Sequence, residues 1–153
     1  MKLYHATITE NQNSIETLGL TPKAGSLVSN CYGKTSESFI FAASIETIEK
    51  AAIAMRNQIF LSKKNELDLY NEVEVSQEMI KEYGVIFSFN SDNFTFAASK
   101  IEDTPIESND YFSTEKTNVE NSITGENLID FLKVNCPISL LSQKLKRSKF
   151  GSF

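Results

Sequence analysis

Residues 3–20 read LYHATITENQNSIETLGL, and residues 38–60 read SFIFAASIETIEKAAIAMRNQIF. In the first stretch, Leu3, His5 and Thr7 alternate with Tyr4, Ala6 and Ile8, the period-two pattern of a strand over residues 2–7. Thr9 or Asn11 can cap a helix behind it, with Glu10 near the positive N-terminal end. Ile15 and Leu18 share one face of that helix, Gly19 stops it, and Pro22 breaks the chain beyond. The second stretch repeats the scheme. A strand over residues 38–43 runs into Ser44, which caps a helix whose Ile45, Ile48, Ala52, Met55 and Ile59 follow the helical period.

Working outward, residues 23–37 are rich in Gly, Ser, Lys and Asn and read as a loop, with a short strand at 26–28. A connection of that length in a compact domain is a candidate functional loop. Residues 61–75 are polar and acidic, with Leu67 and Leu69 as the inward points. Residues 75–83 read as a short helix stopped by Gly84. Residues 85–89 and 94–97 read as strands, and the Asn-Ser-Asp-Asn run at 90–93 has the turn chemistry to join them as a hairpin. Tyr111 and Phe112 mark another strand. Residues 119–123 and 128–134 read as the last two, separated by Thr124 and Gly125. Two strand–helix units followed by mainly antiparallel strands make an α+β domain with two or three helices. The expected division is one domain over residues 1–141 and a basic tail over 142–153, where Lys144, Lys146, Arg147 and Lys149 cluster.

The chain has 153 residues, of which 41% are hydrophobic and 23% charged, enough to bury a core without disulfide or metal staples. The net charge of −5 carries no overall nucleic-acid signature. Cys31 and Cys136 form no C-x-x-C pattern and the chain has one histidine, so no Cys/His zinc site is expected. There is no N-terminal secretory pattern and no apolar run of membrane-spanning length, which points to a cytoplasmic protein with free buried thiols. Abundant Asn, Ser, Lys and Ile beside only two arginines, Arg56 and Arg147, suggest an AT-rich phage or bacterial source. The nucleotide-binding G-x-G-x-x-G, the phosphate-binding G-x-x-x-x-G-K-[ST] and the hydrolase G-x-S-x-G are all missing. A Cys–His nucleophile pair built from His5 with Cys31 or Cys136 has no local support.

The block LYHATITENQNSIETLGL resembles the opening of several ADP-ribosyltransferase-like families: a strand carrying Tyr-His-x-Thr/Ser, a helix with Ile, then Gly-Leu and a nearby Pro. The DNA-modifying ADP-ribosyltransferase toxins and the RNA 2′-phosphotransferases are of this kind. SFIFAASIETIEKAA is similar to the strand and capped helix that follow in those families. NVENSITGENLI at residues 118–129 looks like their terminal signature. The resemblance implies a small split-sheet domain and NAD, as substrate, in the cleft of the sheet. It implies that His5 holds the nicotinamide-ribose hydroxyls, with Tyr4 and Thr7 beside it. Phe39 or Phe41 would then stack on nicotinamide, and Glu120 would be the last catalytic position, with Glu126 and Glu115 as its competitors.

The chemistry asked of these residue types is plain. Breaking the nicotinamide–ribose bond builds positive charge on the sugar, which a carboxylate stabilises. A neutral imidazole both donates and accepts, and an aromatic face holds a flat ring. Each residue also has an ordinary structural reading. His5 can be a bonded strand histidine, Phe39 and Phe41 core filler, Thr7 a β-branched strand residue and Glu120 a solvated one.

The sequence departs from the family pattern at three points. Ala6 follows the histidine where Gly is common, Phe stands where Tyr is common, and arginines are few, leaving Lys23 and Lys34 to flank the long loop. That scarcity disfavours the RNA-phosphotransferase reading.

Three functions compete. One is a mono-ADP-ribosyltransferase acting on a protein or nucleic-acid acceptor, as a phage or bacterial effector in the host cytoplasm, with residues 23–37 as a lid or acceptor loop. The second is a non-catalytic nucleotide- or partner-binding module on the same fold. The third is a phage structural or accessory protein, which predicts a buried, fully bonded His5 without a cleft and an exposed apolar patch.

Overall fold

The structure is a computed structural model and describes residues 1–22, 39–96 and 110–136. The loop at 23–37, the short strand at 26–28, Cys31, Lys23, Lys34 and the basic tail lie outside the described residues.

The chain is α+β. Six antiparallel strands form one sheet in the order β4-β5-β2-β1-β3-β6. They are β1 (Lys2–Ile8), β2 (Ile40–Ala43), β3 (Gly84–Asn90), β4 (Thr95–Phe96), β5 (Asp110–Ser113) and β6 (Asn121–Thr124). The described residues also form four α-helices: α1 (Gln12–Leu18), α2 (Ile48–Lys63), α3 (Gln77–Tyr83) and α4 (Gly125–Asn135).

One face of the sheet carries the main core. Tyr4 and Ala6 of β1 and Ile86 of β3 pack there beneath Ile48, Ala52, Met55 and Ile59 of α2, Ile80 of α3, and Leu128, Ile129 and Leu132 of α4. Each large aliphatic side chain fully buried in this way contributes about 1.5–3 kcal/mol. The opposite face has a smaller cluster of Leu3, Leu20, Ile40, Ala42 and Phe89, with Ile15 of α1 packed against it. Alternation along β1 therefore does what its sequence asks, sending Leu3 one way and Tyr4 and Ala6 the other.

Local signals set most of the helix ends. The Ser44 backbone N–H donates to Thr47 Oγ1 at 3.1 Å, and a short 3₁₀ turn (Ile45–Thr47) leads into α2. Ser76 Oγ accepts from the Met79 amide and starts α3. Neither Thr9 nor Asn11 caps α1 with its side chain; residues 9–11 form a 3₁₀ turn instead, and Asn11 bonds back to Thr7. Gly19 ends α1 at φ +85, and a Cβ there would stand 2.9 Å from the Thr117 carbonyl oxygen.

Two expectations are corrected. Residues 128–134 are not a strand but most of α4. Leu128, Ile129, Leu132 and Cys136 fall at helical spacing, and Glu126 and Lys133 sit at the ends where the helix dipole favours each charge. The strands at 85–89 and 94–97 do not form a hairpin. β3 has β1 on one edge and β6 on the other, so no ladder edge remains for β4, which pairs with β5. Residues 90–93 turn the chain away instead, and Phe94 packs its ring 5.3 Å from Phe89.

Gly84 begins β3 where α2, α3 and α4 converge. A Cβ there would lie 2.7 Å from Met55 Sδ, 2.8 Å from the Ile80 carbonyl oxygen and 3.2 Å from Leu128 Cδ2. Gly84→Ala is expected to destabilise the fold by about 1–3 kcal/mol, the ordinary cost of overpacking a core. It should be read as a lower urea midpoint at unchanged m-value.

Candidate functional site

The sheet is not equally joined throughout. β1 pairs with β3 along its whole length, from Lys2↔Asn90 to Ile8↔Gly84. Its ladder with β2 is the single pair Tyr4↔Ala43. Continuing that register would set His5 opposite Ala42 and Ala6 opposite Phe41, but the ladder does not extend to those pairs. One ladder pair thus joins β4-β5-β2 to β1-β3-β6 within the sheet, and this sparsely paired join is a seam.

His5 stands at this seam. Its Nδ1 lies 2.7 Å from the Phe41 carbonyl oxygen across it. A carbonyl only accepts, so Nδ1 carries the proton and the neutral ring keeps Nε2 as an acceptor. Burial pushes the imidazole pKa below its ordinary 6.5, and the bond to Phe41 offsets this only in part. At neutral pH the ring is therefore uncharged and held in one tautomer.

A cavity of about 40 Å³ lies along the seam. Tyr4, His5 and Ala6 line it from β1, Phe41, Ala42 and Ala43 from β2, and Lys50, Ala51 and Ala54 from the start of α2. The small side chains at 42, 43, 51 and 54 leave the space. The aromatic rings of Tyr4 and Phe41 and the charge of Lys50 give it character.

The other expected residues are placed as follows. Tyr4 lines the cavity and also packs its ring 5.5 Å from Phe131 in the main core. Phe41 lines it too. Phe39 does not; its ring sits 5.6 Å from Phe41 and edge-on to Phe112 at 5.1 Å, as support for Phe41. Thr7 is buried, donating to Gln58 Oε1 of α2 at 2.8 Å and accepting from Asn11 Nδ2 at 2.9 Å, so it ties β1 to the helices rather than facing a ligand.

His5 and Glu120 are not brought together. Glu120 immediately precedes Asn121, which lies in the row Tyr4–Ser88–Asn121, two strands away from β1. With strands about 4.8 Å apart, that is about 10 Å of backbone separation. Its carboxylate accepts from the Asn90 amide at 3.2 Å, and its own N–H donates to the Ser88 carbonyl at 2.9 Å. Glu126 pairs with Lys81 at 3.1 Å, and Glu115 sits in a turn bonded to Ser113 and Thr117. None of the three lines the seam.

Arg56 of α2 is buried, 4% exposed. Its Nε and Nη1 have no hydrogen-bond partner among the described residues. Burial lowers its pKa, offset in part by the charge of Glu72, but a guanidinium stays protonated. It projects from a side of α2 away from Lys50 and Ala54, so it does not serve the seam. Cys136 is a buried free thiol whose pKa is pushed up to about 11, first by burial and then by Glu49, which makes it a poor nucleophile. Among the described residues no cluster of His, Cys, Asp or Glu could hold a metal ion, and no helix is long and apolar enough to cross a membrane.

Sequence reasoning missed Lys50, Ala51 and Ala54. A lysine on an amphipathic helix reads as solvent-facing, and only the two alanines three apart hinted at a close approach to the sheet. No family model, curated protein or solved structure matches the chain.

Because folding lowers the His5 pKa, the unfolded chain binds more protons than the native one between the native value and 6.5. Stability from this group is complete above about 6.5 and is lost as pH falls through the native value. His5→Asn retains a donor for Phe41 but cannot titrate. Urea denaturation should show a pH slope in this window for wild type and a flatter one for the variant.

Proposed function

We propose that the seam is a nucleotide site of the ADP-ribosyltransferase-like kind, where the chain uses NAD to place ADP-ribose on a protein or nucleic-acid acceptor. The observation that carries this reading is the single-pair join of β1 and β2, with a neutral, tautomer-fixed His5 and the Phe41 ring on its two sides. In that site His5 Nε2 accepts from a ribose hydroxyl, and Phe41 and Tyr4 offer ring faces to the nicotinamide. The cavity is small beside the 300–1,000 Å³ of most ligand pockets, so NAD binding widens the seam. A join of one pair offers little resistance to that motion. The Tyr-His-x-Thr opening and the following strand–helix block support the same reading from sequence.

A second reading is favoured by one specific observation. Glu120 is committed to Asn90, and neither Glu115 nor Glu126 lines the seam. Without a carboxylate to stabilise charge on the sugar, the same pocket would bind a nucleotide and not turn it over.

Nicotinamide release from NAD, measured beside NAD-induced thermal stabilisation, separates the two. Transfer chemistry predicts release that falls by about a hundredfold in His5→Ala, the scale expected when substrate positioning is lost. A matching fall in Glu120→Gln would mean that this carboxylate reaches the seam once NAD is bound. Stabilisation without release supports the binding module. Neither release nor stabilisation removes NAD from the seam altogether.

A further inference from the structure

We infer that the seam is a hinged joint: the half-sheet β4-β5-β2 swings as a unit against β1-β3-β6, opening on the face beneath α2, with the His5–Phe41 hydrogen bond as its latch. The swing belongs to the ligand-free protein and does not rest on the nucleotide reading. Packing differs on the two faces of the sheet. Among the described residues, the main core beneath α2 takes strand residues from β1, β3 and β6 and none from β2, β4 or β5. On the opposite face one cluster does span the seam. Leu3 of β1 and Phe89 of β3 pack with Ile40 and Ala42 of β2, and Tyr111 of β5 packs against them. Continuous apolar packing on one face and a cavity on the other give the halves a pivot and a side on which to open.

Among the described residues the seam is crossed by one ladder pair, Tyr4↔Ala43, and by the bond of His5 Nδ1 to the Phe41 carbonyl at 2.7 Å. Within each half the ladders are longer: β1 pairs with β3, and β2 with β5, along their whole lengths. Partial openings follow such boundaries, because fewer bonds are broken there. α2 stays with the β1 half, since Ile48, Ala52, Met55 and Ile59 are seated in the main core. The chain runs from Ala43 through a short turn into α2, so that end of β2 is tethered. The amplitude falls at the Phe41 end, where His5 holds it.

Residue-resolved amide hydrogen exchange of the free protein is the test. The Phe41 carbonyl faces β1, so by alternation the amides of Phe41 and Ala43 lie on the seam side of β2 and those of Ile40 and Ala42 on the β5 side. His5→Phe keeps a ring but removes the donor. It should speed exchange at Phe41 and Ala43 by about tenfold, the scale of one net hydrogen bond. Ile40, Ala42 and the β1–β3 ladder should keep their wild-type rates. Equal acceleration at Ile40 and Ala42 would mean that the half-sheet unfolds rather than swings, and no acceleration at the seam amides would mean that His5 is no latch; either overturns the inference. If His5→Phe does not fold, wild type decides through low concentrations of urea. Seam exchange that ignores urea marks a swing that exposes little surface, and seam exchange that rises with urea as steeply as that of β3 overturns it. No nucleotide enters the experiment, so its failure leaves the nucleotide reading standing.

Discussion

The ladder between β1 and β2 ends after Tyr4↔Ala43, and the arrangement of the molecule around its candidate site follows from that interruption. On its other edge β1 is fixed by a full register with β3. β2 is drawn the other way by β5 and by the ring cluster of Phe39, Phe41 and Phe112. The two half-sheets are thus each well bonded internally and poorly bonded to one another. The Phe41 carbonyl, left beside the gap, accepts from His5, the polar side chain on β1 that reaches it.

α2 roofs the gap, and its two sides do different work. Ile48, Ala52, Met55 and Ile59 are packed into the main core and hold the helix down. Lys50 and Ala54, further around the cylinder, overlie the seam with Ala51, which also packs against the main core, so that two small residues leave room and one long residue supplies charge. The Thr7–Gln58 bond anchors the far end of β1 to the same helix. The rigid elements therefore surround the opening without filling it, the arrangement that positions binding side chains on a scaffold while the join between halves stays weak.

Much of this was legible in the sequence, for reasons that can be named. β1, β2 and α2 carry their periods within the element itself, and Ser44, Ser76, Gly19 and Gly84 mark boundaries by local chemistry. α4 was misread because Leu-Ile-Asp-Phe-Leu-Lys-Val offers apolar and β-forming residues in a short run, although Leu128, Ile129 and Leu132 also fit a helical spacing. The hairpin of β3 and β4 was misread because the Asn-Ser-Asp-Asn turn is local whereas the occupancy of both β3 edges is not. The site divides the same way. His5 and Phe41 were visible from their flanking pattern. Phe39 was an equal candidate until its packing placed it behind Phe41. Lys50 looked like any surface lysine, and the separation of Glu120 from His5 depends on a strand order that no local pattern encodes.

The claim on which the functional reading stands is that a nucleotide enters the seam beside His5. Because the chain has a single histidine, its imidazole protons give one set of signals in a proton NMR spectrum, and the site can be watched directly while NAD is added. Binding at the seam predicts a saturable change in those signals at pH 7, with the same midpoint as the NAD-induced rise in melting temperature. Imidazole signals that stay fixed up to millimolar NAD would place any nucleotide binding elsewhere and leave His5 as a structural tie between the two half-sheets.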